Sequence, residues 1–238
     1  SFELADPARP FSRLGEADPA RIESVMDRIS GFMIHNNCEN GDFGLFDRML
    51  AQIETRYGPL LGRLEWASLG GGIAFTDAGY PLDAFCRRLR EFAARHGVQV
   101  YLEPGEAAVT GSTTLEVSVL DTLYNGKHIA IVDSSIEAHM LDLLIYRESA
   151  RIEPDAGPHV YMICGKSCLA GDVFGEFRFA RPLAVGDRLS IANAAGYTMV
   201  KKNWFNGVRM PSIAVREFDG RTTVQRSFPY EDFAASLS

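Results

Sequence analysis

The chain has 238 residues, 46% of them hydrophobic, and this length allows a substantial core in one large domain or two modest ones. The formal net charge of −7 argues against a nucleic-acid partner, because phosphates are bound by clustered Lys and Arg. No apolar run approaches the roughly 20 residues that span a bilayer, and four cysteines without tight CxxC spacing fit neither a disulfide framework nor a metal site, so we expect a cytoplasmic protein without a membrane partner.

The first part of the chain alternates short apolar segments with amphipathic ones, a pattern that predicts βα units in a parallel sheet or barrel. Buried strands are predicted at residues 31–35, 65–72 and 98–105. Between them, apolar side chains recur at helical spacing and predict two helices with one buried face each. The residues of these faces are Leu45, Met49 and Ile53, followed by Leu82, Phe85, Leu89 and Phe92.

The chain changes character after Gly105, where strand-like segments follow one another without intervening helices. Gly, Pro and Asp separate them, which is typical of a β barrel or sandwich. We therefore predict two domains, the C-terminal part of a βα barrel at residues 1–106 and a β domain at residues 107–238. Residues 136–146 are apolar but contain His139 and Asp142, and are expected to form an irregular or helical loop. The predicted strands are residues 113–125, 127–133, 159–165, 177–183, 187–194, 212–219 and 222–228.

Three features follow the ends of predicted strands in the first domain: His35, the glycine run formed by Gly70, Gly71 and Gly72, and Glu103. In a βα barrel the loops at this end form the active site, so these residues are candidates for one site. Consecutive glycines let backbone N–H groups approach a phosphate, although glycine triplets also form plain turns. His35 is either a ring that stacks on a planar cofactor or a satisfied histidine. Glu103 is either a partner for a cofactor's ring nitrogen or a surface or capping carboxylate.

The β domain has two segments dense in reactive residue types, residues 164–175 and 196–212. Cys168 is either a buried apolar residue or a general acid, and a lysine and an aspartate in the same segment are close enough to influence its charge. Tyr197 and Asn206 are either hydrogen-bonding core residues or site residues. The residue types alone leave both alternatives open.

Five segments in order resemble the fold-type III pyridoxal-phosphate decarboxylases: HNNCEN, SLGGGIAFT, YLEPGEA, CGKSCLAGDVFG and GYTMVKKNWFNGV. Within this group, SRLG at residues 12–15 and the forms HNNCE, EAHMLDLLIYR and CLAGD resemble the carboxynorspermidine decarboxylase branch. The ornithine and diaminopimelate branches usually carry EPGR, whereas Glu106 follows Gly105 here. The resemblance implies an alanine-racemase-like (β/α)8 barrel, with its N-terminal part upstream of this sequence, followed by a C-terminal β domain.

The resemblance also implies how pyridoxal 5′-phosphate is bound. His35 would stack on the cofactor ring and take part in catalysis, the glycine run would hold the phosphate, and Glu103 would pair with the pyridine nitrogen so that the ring withdraws electrons. Tyr197 would reach the phosphate. The lysine that carries the cofactor is expected upstream, because none of the lysines present matches that motif; these are Lys127, Lys166, Lys201 and Lys202.

In this family the active site lies at a dimer interface, so the resemblance implies a homodimer in which Cys168 and Asp172 reach the site of the other subunit. The implied reaction converts carboxynorspermidine to norspermidine and carboxyspermidine to spermidine, with Cys168 returning a proton to Cα. After loss of its carboxylate the polyamine carries only ammonium groups, so acidic residues are expected to bind the substrate. The candidates are Glu39, Glu106, Asp142 and Asp172.

Two kinds of alternative remain open. One is an amino-acid decarboxylase of the diaminopimelate or ornithine type; for the former, Arg13 and Arg147 are available to bind a retained second carboxylate. The other is a relative without activity that binds polyamines or a partner subunit. The presence of Cys168, His35 and Glu103 favours an enzyme, because a pure binding protein needs neither a proton donor nor an electron sink.

Overall fold

The computed structural model describes residues 6–237, which divide into two compact units, one ending at Thr110 and the other beginning at Gly111. This division lies slightly beyond the expected boundary at 106/107, because the 3₁₀ turn Glu106–Ala108 belongs to the first unit. The Thr110 hydroxyl donates to the Glu106 carbonyl at 3.0 Å, and the Thr76 hydroxyl donates to the Ala107 carbonyl at 2.9 Å. No helix within residues 6–237 combines the length and apolarity needed to cross a bilayer.

The first unit contains a three-stranded parallel sheet with strand order β1-β2-β3 and a long helix after each of the first two strands. The strands are shorter than predicted, since the chain leaves extended conformation soon after each one; φ is 68° at Gly70, for example. The elements are α1 (Pro19–Glu23), β1 (Gly31–Met33), α2 (Phe43–Leu61), β2 (Trp66–Ser68), α3 (Leu82–His96) and β3 (Gln99–Tyr101).

The buried face of α2 agrees with the predicted face at Ile53 but not at Leu45. Phe46 and Leu50 are fully buried, whereas Leu45 is 49% exposed. The Phe46 ring lies 4.9 Å from the Phe85 ring of α3 in an edge-to-face arrangement, and large aromatic side chains contribute the most to burial. In α3, Phe85 and Phe92 are buried as predicted, whereas Leu82 at the start of the helix is exposed. The aromatic residues therefore decide which face each helix buries.

The second unit has a five-stranded sheet with strand order β7-β6-β5-β4-β8 and a separate two-stranded antiparallel sheet of β9 and β10. Along β4, Leu115, Val117 and Val119 are buried and Glu116 is exposed, because successive side chains of a strand point to opposite faces. The strands are β4 (Leu115–Tyr124), β5 (His128–Val132), β6 (His159–Cys164), β7 (Val173–Phe179), β8 (Arg188–Ile191), β9 (Ile213–Arg216) and β10 (Thr222–Arg226).

The second unit contains short helices, and those at residues 136–146 agree with the irregular or helical loop expected there. Strands β5 and β6 pair in parallel, which requires a crossover, and residues 136–146 within that crossover are helical. Each helix of the second unit has only four to six residues, which is too few for a 3.6-residue apolar period to be recognised in the sequence. The helices are α4 (Ile136–His139), α5 (Leu141–Tyr146), α6 (Tyr197–Lys201) and α7 (Tyr230–Ala235).

Candidate active site

The predicted residues of the first unit meet at one edge of its parallel sheet. His35, the glycine run and Glu103 follow β1, β2 and β3 respectively, and parallel strands end on the same side. Backbone hydrogen bonds continue the pairing beyond the strands. The Ile34 N–H donates to the Ser68 carbonyl at 2.8 Å, and the Glu103 N–H donates to the Gly70 carbonyl at 2.9 Å. These bonds place the three loops side by side.

The glycine run packs too closely against its neighbours to admit side chains. A Cβ at Gly71 would lie 2.3 Å from the Glu103 carbonyl oxygen, and one at Gly72 would lie 2.4 Å from the Asn37 carbonyl oxygen. Packing alone therefore explains the glycines as a turn. The backbone N–H groups of Gly71 and Gly72 donate to no other residue within 6–237, however, and the two residues are partly exposed. Such N–H groups are available to an anion.

The His35 ring lies directly beside the glycine run. A Cβ at Gly70 would be 2.6 Å from its Nδ1, and this nitrogen is buried without a hydrogen-bond partner among the described residues. A buried polar atom left unpaired costs about 1–3 kcal/mol, so internal hydrogen bonding does not explain where the ring sits. This position argues against the satisfied histidine and fits a ring placed for contact with a ligand.

Ser68 orients the Glu103 carboxylate. Its hydroxyl donates to Glu103 Oε1 at 2.6 Å and accepts from the Gly70 N–H at 3.2 Å. Ser68 is 3% exposed, whereas Glu103 is exposed, so a buried hydroxyl fixes a carboxylate that still faces outward. Sequence reasoning missed Ser68, although a serine at the end of a strand before consecutive glycines was an available signal. The bond excludes a freely rotating surface carboxylate.

In the second unit, Cys168 is exposed, which rules out a buried apolar role. The side-chain amide of Asn206 contacts it twice: Oδ1 accepts the Cys168 N–H at 3.2 Å, and Nδ2 donates to Sγ at 3.6 Å. Asn206 has a left-handed backbone with φ 57°, which asparagine tolerates better than most residues. The sequence left the role of Asn206 open, and the structure places its side chain beside the candidate acid Cys168.

Asp172 is a buried carboxylate that bonds two backbone N–H groups. It is 3% exposed, and its Oδ1 accepts the Ile136 N–H at 2.8 Å while Oδ2 accepts the Ser167 N–H at 3.1 Å. Both carboxylate oxygens are thus used within the fold. Asp172 therefore fixes the loop that carries Cys168 to the start of α4, and a substrate contact by its carboxylate stays a prediction.

The other predicted residues lie at accessible positions. Tyr197 begins α6 and is 54% exposed, which excludes a core role, and Lys201 Nζ lies 4.7 Å from its ring centre. Asp142 pairs with Lys201 Nζ at 2.6 Å, so its charge is already matched. Glu39 is exposed with a left-handed φ of 48°, and Glu106 is half-buried in the 3₁₀ turn of the first unit.

His139 is a buried titratable residue that sequence reasoning did not place in any site. It is 3% exposed; its Nδ1 lies 2.8 Å from the Ser134 hydroxyl, and Nε2 has no hydrogen-bond partner within residues 6–237. Burial, helped by the Lys166 charge, lowers the pKa of His139 from 6.5 to about 4. The charged ring is favoured by the carboxylates of Asp172 and Asp133 and by the Arg209 backbone, but these do not outweigh burial.

The depressed pKa of His139 predicts a pH-dependent stability. The ring is neutral when folded, so its contribution is fully present above pH 6.5 and is lost as the pH falls through about 4, because the unfolded chain binds the proton more tightly. The difference corresponds to about 3 kcal/mol. Urea unfolding of the full-length protein between pH 4 and 7 should show a smaller loss of unfolding free energy for His139→Phe than for the unchanged protein.

The exposed His128 provides the control for this measurement, since it lies on β5 in the same unit. His128→Phe should keep the pH dependence of the unchanged protein. Equal pH dependence in His139→Phe and the unchanged protein would contradict the assignment.

Comparison with known proteins identifies a decarboxylase family. Residues 108–195 match the family model for the pyridoxal-dependent decarboxylase C-terminal sheet domain. A carboxynorspermidine/carboxyspermidine decarboxylase from Herminiimonas arsenicoxydans is 65% identical over 238 residues, covering 100% of this chain and 65% of that protein. A carboxyaminopropylagmatine decarboxylase from Synechocystis sp. is 38% identical and covers 99% of this chain and 62% of that protein.

A solved structure supports the same grouping. Carboxynorspermidine decarboxylase from Campylobacter jejuni, complexed with norspermidine, superposes with a TM-score of 0.86 at 33% identity. The match covers 96% of this chain and 66% of that chain. The chain thus spans 62–65% of the length of the curated decarboxylases that match it over nearly all of its residues.

Proposed function

Because the chain belongs to the pyridoxal-dependent decarboxylase family, we propose that the whole protein uses pyridoxal 5′-phosphate to convert carboxynorspermidine to norspermidine and carboxyspermidine to spermidine. The observation that carries this proposal is the 65% identity to a decarboxylase of that name, which extends over all 238 residues. The matched residues include both units, so the match supports this substrate class for the protein. The lysine expected upstream stays a prediction.

The first unit fits the cofactor at three points. The cofactor supplies an electron sink for the negative charge that remains at Cα when CO2 departs. The N–H groups of the glycine run would bind the phosphate, and the His35 ring would lie against the pyridine ring. Glu103, oriented by Ser68, would hold the proton on the pyridine nitrogen.

The second unit would supply the proton donor and further binding groups. Cys168 is exposed and is the residue that we assign to protonate Cα. Tyr197 would direct its hydroxyl to the phosphate. Asp142 would bind a substrate ammonium group in exchange for Lys201, and in the first unit Glu39 and Glu106 are the remaining acidic candidates for this contact.

The larger assembly is part of the proposal. The three-stranded sheet of the first unit would be a segment of an alanine-racemase-like (β/α)8 barrel, and the TM-score of 0.86 to the Campylobacter jejuni enzyme supports this arrangement. We also propose a homodimer in which Cys168 serves the site of the other subunit. The protein would be cytoplasmic, without a nucleic-acid or membrane partner.

An amino-acid substrate is the alternative with a physical basis in this chain. Arg13 and Arg147 are both exposed, and either can receive a carboxylate. The diaminopimelate decarboxylase of Archaeoglobus fulgidus is only 28% identical over 60% of this chain, however. The carboxylated triamine is therefore favoured over diaminopimelate or ornithine, and over a polyamine-binding relative without activity.

The test is a substrate comparison with the full-length protein and added pyridoxal 5′-phosphate. Release of CO2 would be measured from carboxynorspermidine, carboxyspermidine, carboxyaminopropylagmatine, diaminopimelate and ornithine. We expect the highest kcat/KM for the first two. A cofactor absorbance band that disappears on borohydride reduction should accompany activity, with the label mapped to an upstream lysine. A preference for an amino acid would overturn the substrate assignment, and absence of the band would overturn the cofactor assignment.

A further inference from the structure

We propose that Asn206 is a positioning residue that holds Cys168 ready to donate its proton and stabilises the sulfur after donation. The inference rests on the proposed function, which makes Cys168 the donor. It assigns a role to a residue outside the predicted set of catalytic, cofactor-binding and substrate-binding residues.

The first support is the double contact made by one planar amide. Asn206 Oδ1 accepts the Cys168 backbone N–H at 3.2 Å, and Nδ2 donates to Cys168 Sγ at 3.6 Å. The side-chain amide of Asn carries both an acceptor and donors on one planar group. The first bond positions the residue, and the second directs an N–H at the sulfur itself.

The turn that carries Asn206 is anchored to α4. The Asn203 N–H donates to the Ala138 carbonyl at 2.8 Å, and its side-chain amide donates to the Glu137 carbonyl at 2.9 Å. The Asn203 side-chain oxygen also accepts the Phe205 N–H at 2.8 Å. The first two bonds hold Asn203 against carbonyl groups of α4, and the third connects Asn203 to the first residue of the 3₁₀ turn Phe205–Gly207.

The loop that carries Cys168 is anchored to the other end of the same helix. The Asp172 carboxylate accepts N–H groups from Ile136, the first residue of α4, and from Ser167. The Lys166 N–H donates to the Ser134 carbonyl at 2.9 Å. Both partners of the contact therefore share one support, and a contact held from both sides has a defined geometry.

The chemistry gives the Nδ2 contact a purpose. When the Cys168 S–H bond breaks and the proton forms a bond to carbon, the electron pair of the S–H bond stays on sulfur as a thiolate. An N–H group binds an anionic acceptor about twice as strongly as a neutral one. Asn206 therefore stabilises the product of proton donation more than its starting state, in a geometry formed before the step.

Two substitutions separate the functions of the amide. Asn206→Asp keeps an oxygen for the Cys168 N–H but replaces the donor near sulfur by a negative charge. Asn206→Gly removes both contacts at a φ of 57°, which glycine adopts without strain. The matched control is Asn193→Asp, since Asn193 also has φ 57° and its Oδ1 accepts the Gly111 N–H at 3.0 Å, remote in sequence from Cys168.

The measurements use the full-length protein and do not all depend on activity. Iodoacetamide labelling of Cys168, followed by peptide mapping at one fixed pH, reports how readily the thiolate forms. We expect Asn206→Asp to lower the labelling rate and kcat each by a factor on the order of ten, with KM changed by less than about twofold. Asn206→Gly should lower kcat at least as much. Asn193→Asp should leave both values within about twofold of the unchanged protein.

The outcomes distinguish this inference from the proposed function. Unchanged labelling of Cys168 in Asn206→Asp would overturn the role of Asn206, whether or not the enzyme decarboxylates polyamines. Slower labelling in a protein without decarboxylase activity would support the contact and overturn the proposed function. Circular dichroism checks the fold of each variant. If Asn206→Gly unfolds, Asn206→Asp still decides, because it retains the bond that positions the loop.

Discussion

Replacing Glu103 by Gln is expected to lower kcat on carboxynorspermidine by a factor on the order of 10²–10³ while the cofactor remains bound. A carboxylate keeps the pyridine nitrogen protonated, whereas a neutral amide does not. The ring in the variant therefore withdraws electron density from Cα less strongly. The amide retains an oxygen that accepts the Ser68 hydroxyl, so the loop after β3 should keep its structure. Steady-state CO2 release from the full-length variant, with its cofactor content measured by absorbance, provides the check.

Glu65→Gln is the matched control for this substitution. Glu65 is exposed and precedes β2, at the opposite end of the sheet from Glu103. Among residues 6–237, its hydrogen bonds involve only its backbone. This variant should keep kcat within about twofold of the unchanged protein. A kcat for Glu103→Gln close to that of the control would show that Glu103 does not act on the cofactor.

The grouping of His35, the glycine run and Glu103 at one end of the first sheet could be predicted because its sequence signals are local. A strand, a glycine run and a polar residue each occupy a few adjacent positions, and their order along the chain places them at the ends of neighbouring parallel strands. The roles of His35 and Glu103 came from resemblance rather than from this pattern. The structure adds a physical reason for each role. The His35 Nδ1 has no hydrogen-bond partner within residues 6–237, and Ser68 orients the Glu103 carboxylate.

The contacts that orient the candidate catalytic groups could not be predicted from one sequence. Ser68 and Glu103 are separated by 35 residues, and Cys168 and Asn206 by 38. Such pairs depend on how the strands and turns pack, and no local periodicity encodes them. The buried role of Asp172 was missed for the same reason, since its partner Ile136 lies 36 residues away. An acidic residue near a reactive cysteine indicates charge, but only the fold decides which donors the charge meets.

A methyl group added at Gly71 is expected to weaken the binding of pyridoxal 5′-phosphate on the order of 100-fold, with a loss of about 1–3 kcal/mol in stability. The new Cβ would lie 2.3 Å from the Glu103 carbonyl oxygen, a backbone atom that cannot move aside by a side-chain rotation. The loops after β2 and β3 must therefore separate. That separation moves the N–H groups of the glycine run relative to the Glu103 carboxylate, so one methyl group disturbs two cofactor contacts at once.

Titration of the cofactor-free full-length Gly71→Ala protein, monitored by absorbance, measures the loss of affinity, and urea unfolding measures stability. Gly41→Ala is the control, because a Cβ there meets no atom of the described residues within 4 Å. It should bind the cofactor as the unchanged protein does. The pair of measurements also decides between the two interpretations of the glycine run. Lower stability with unchanged cofactor affinity would identify a turn required only for packing. A loss of affinity in protein that remains fully folded would show that binding of the phosphate requires the close approach of the two loops.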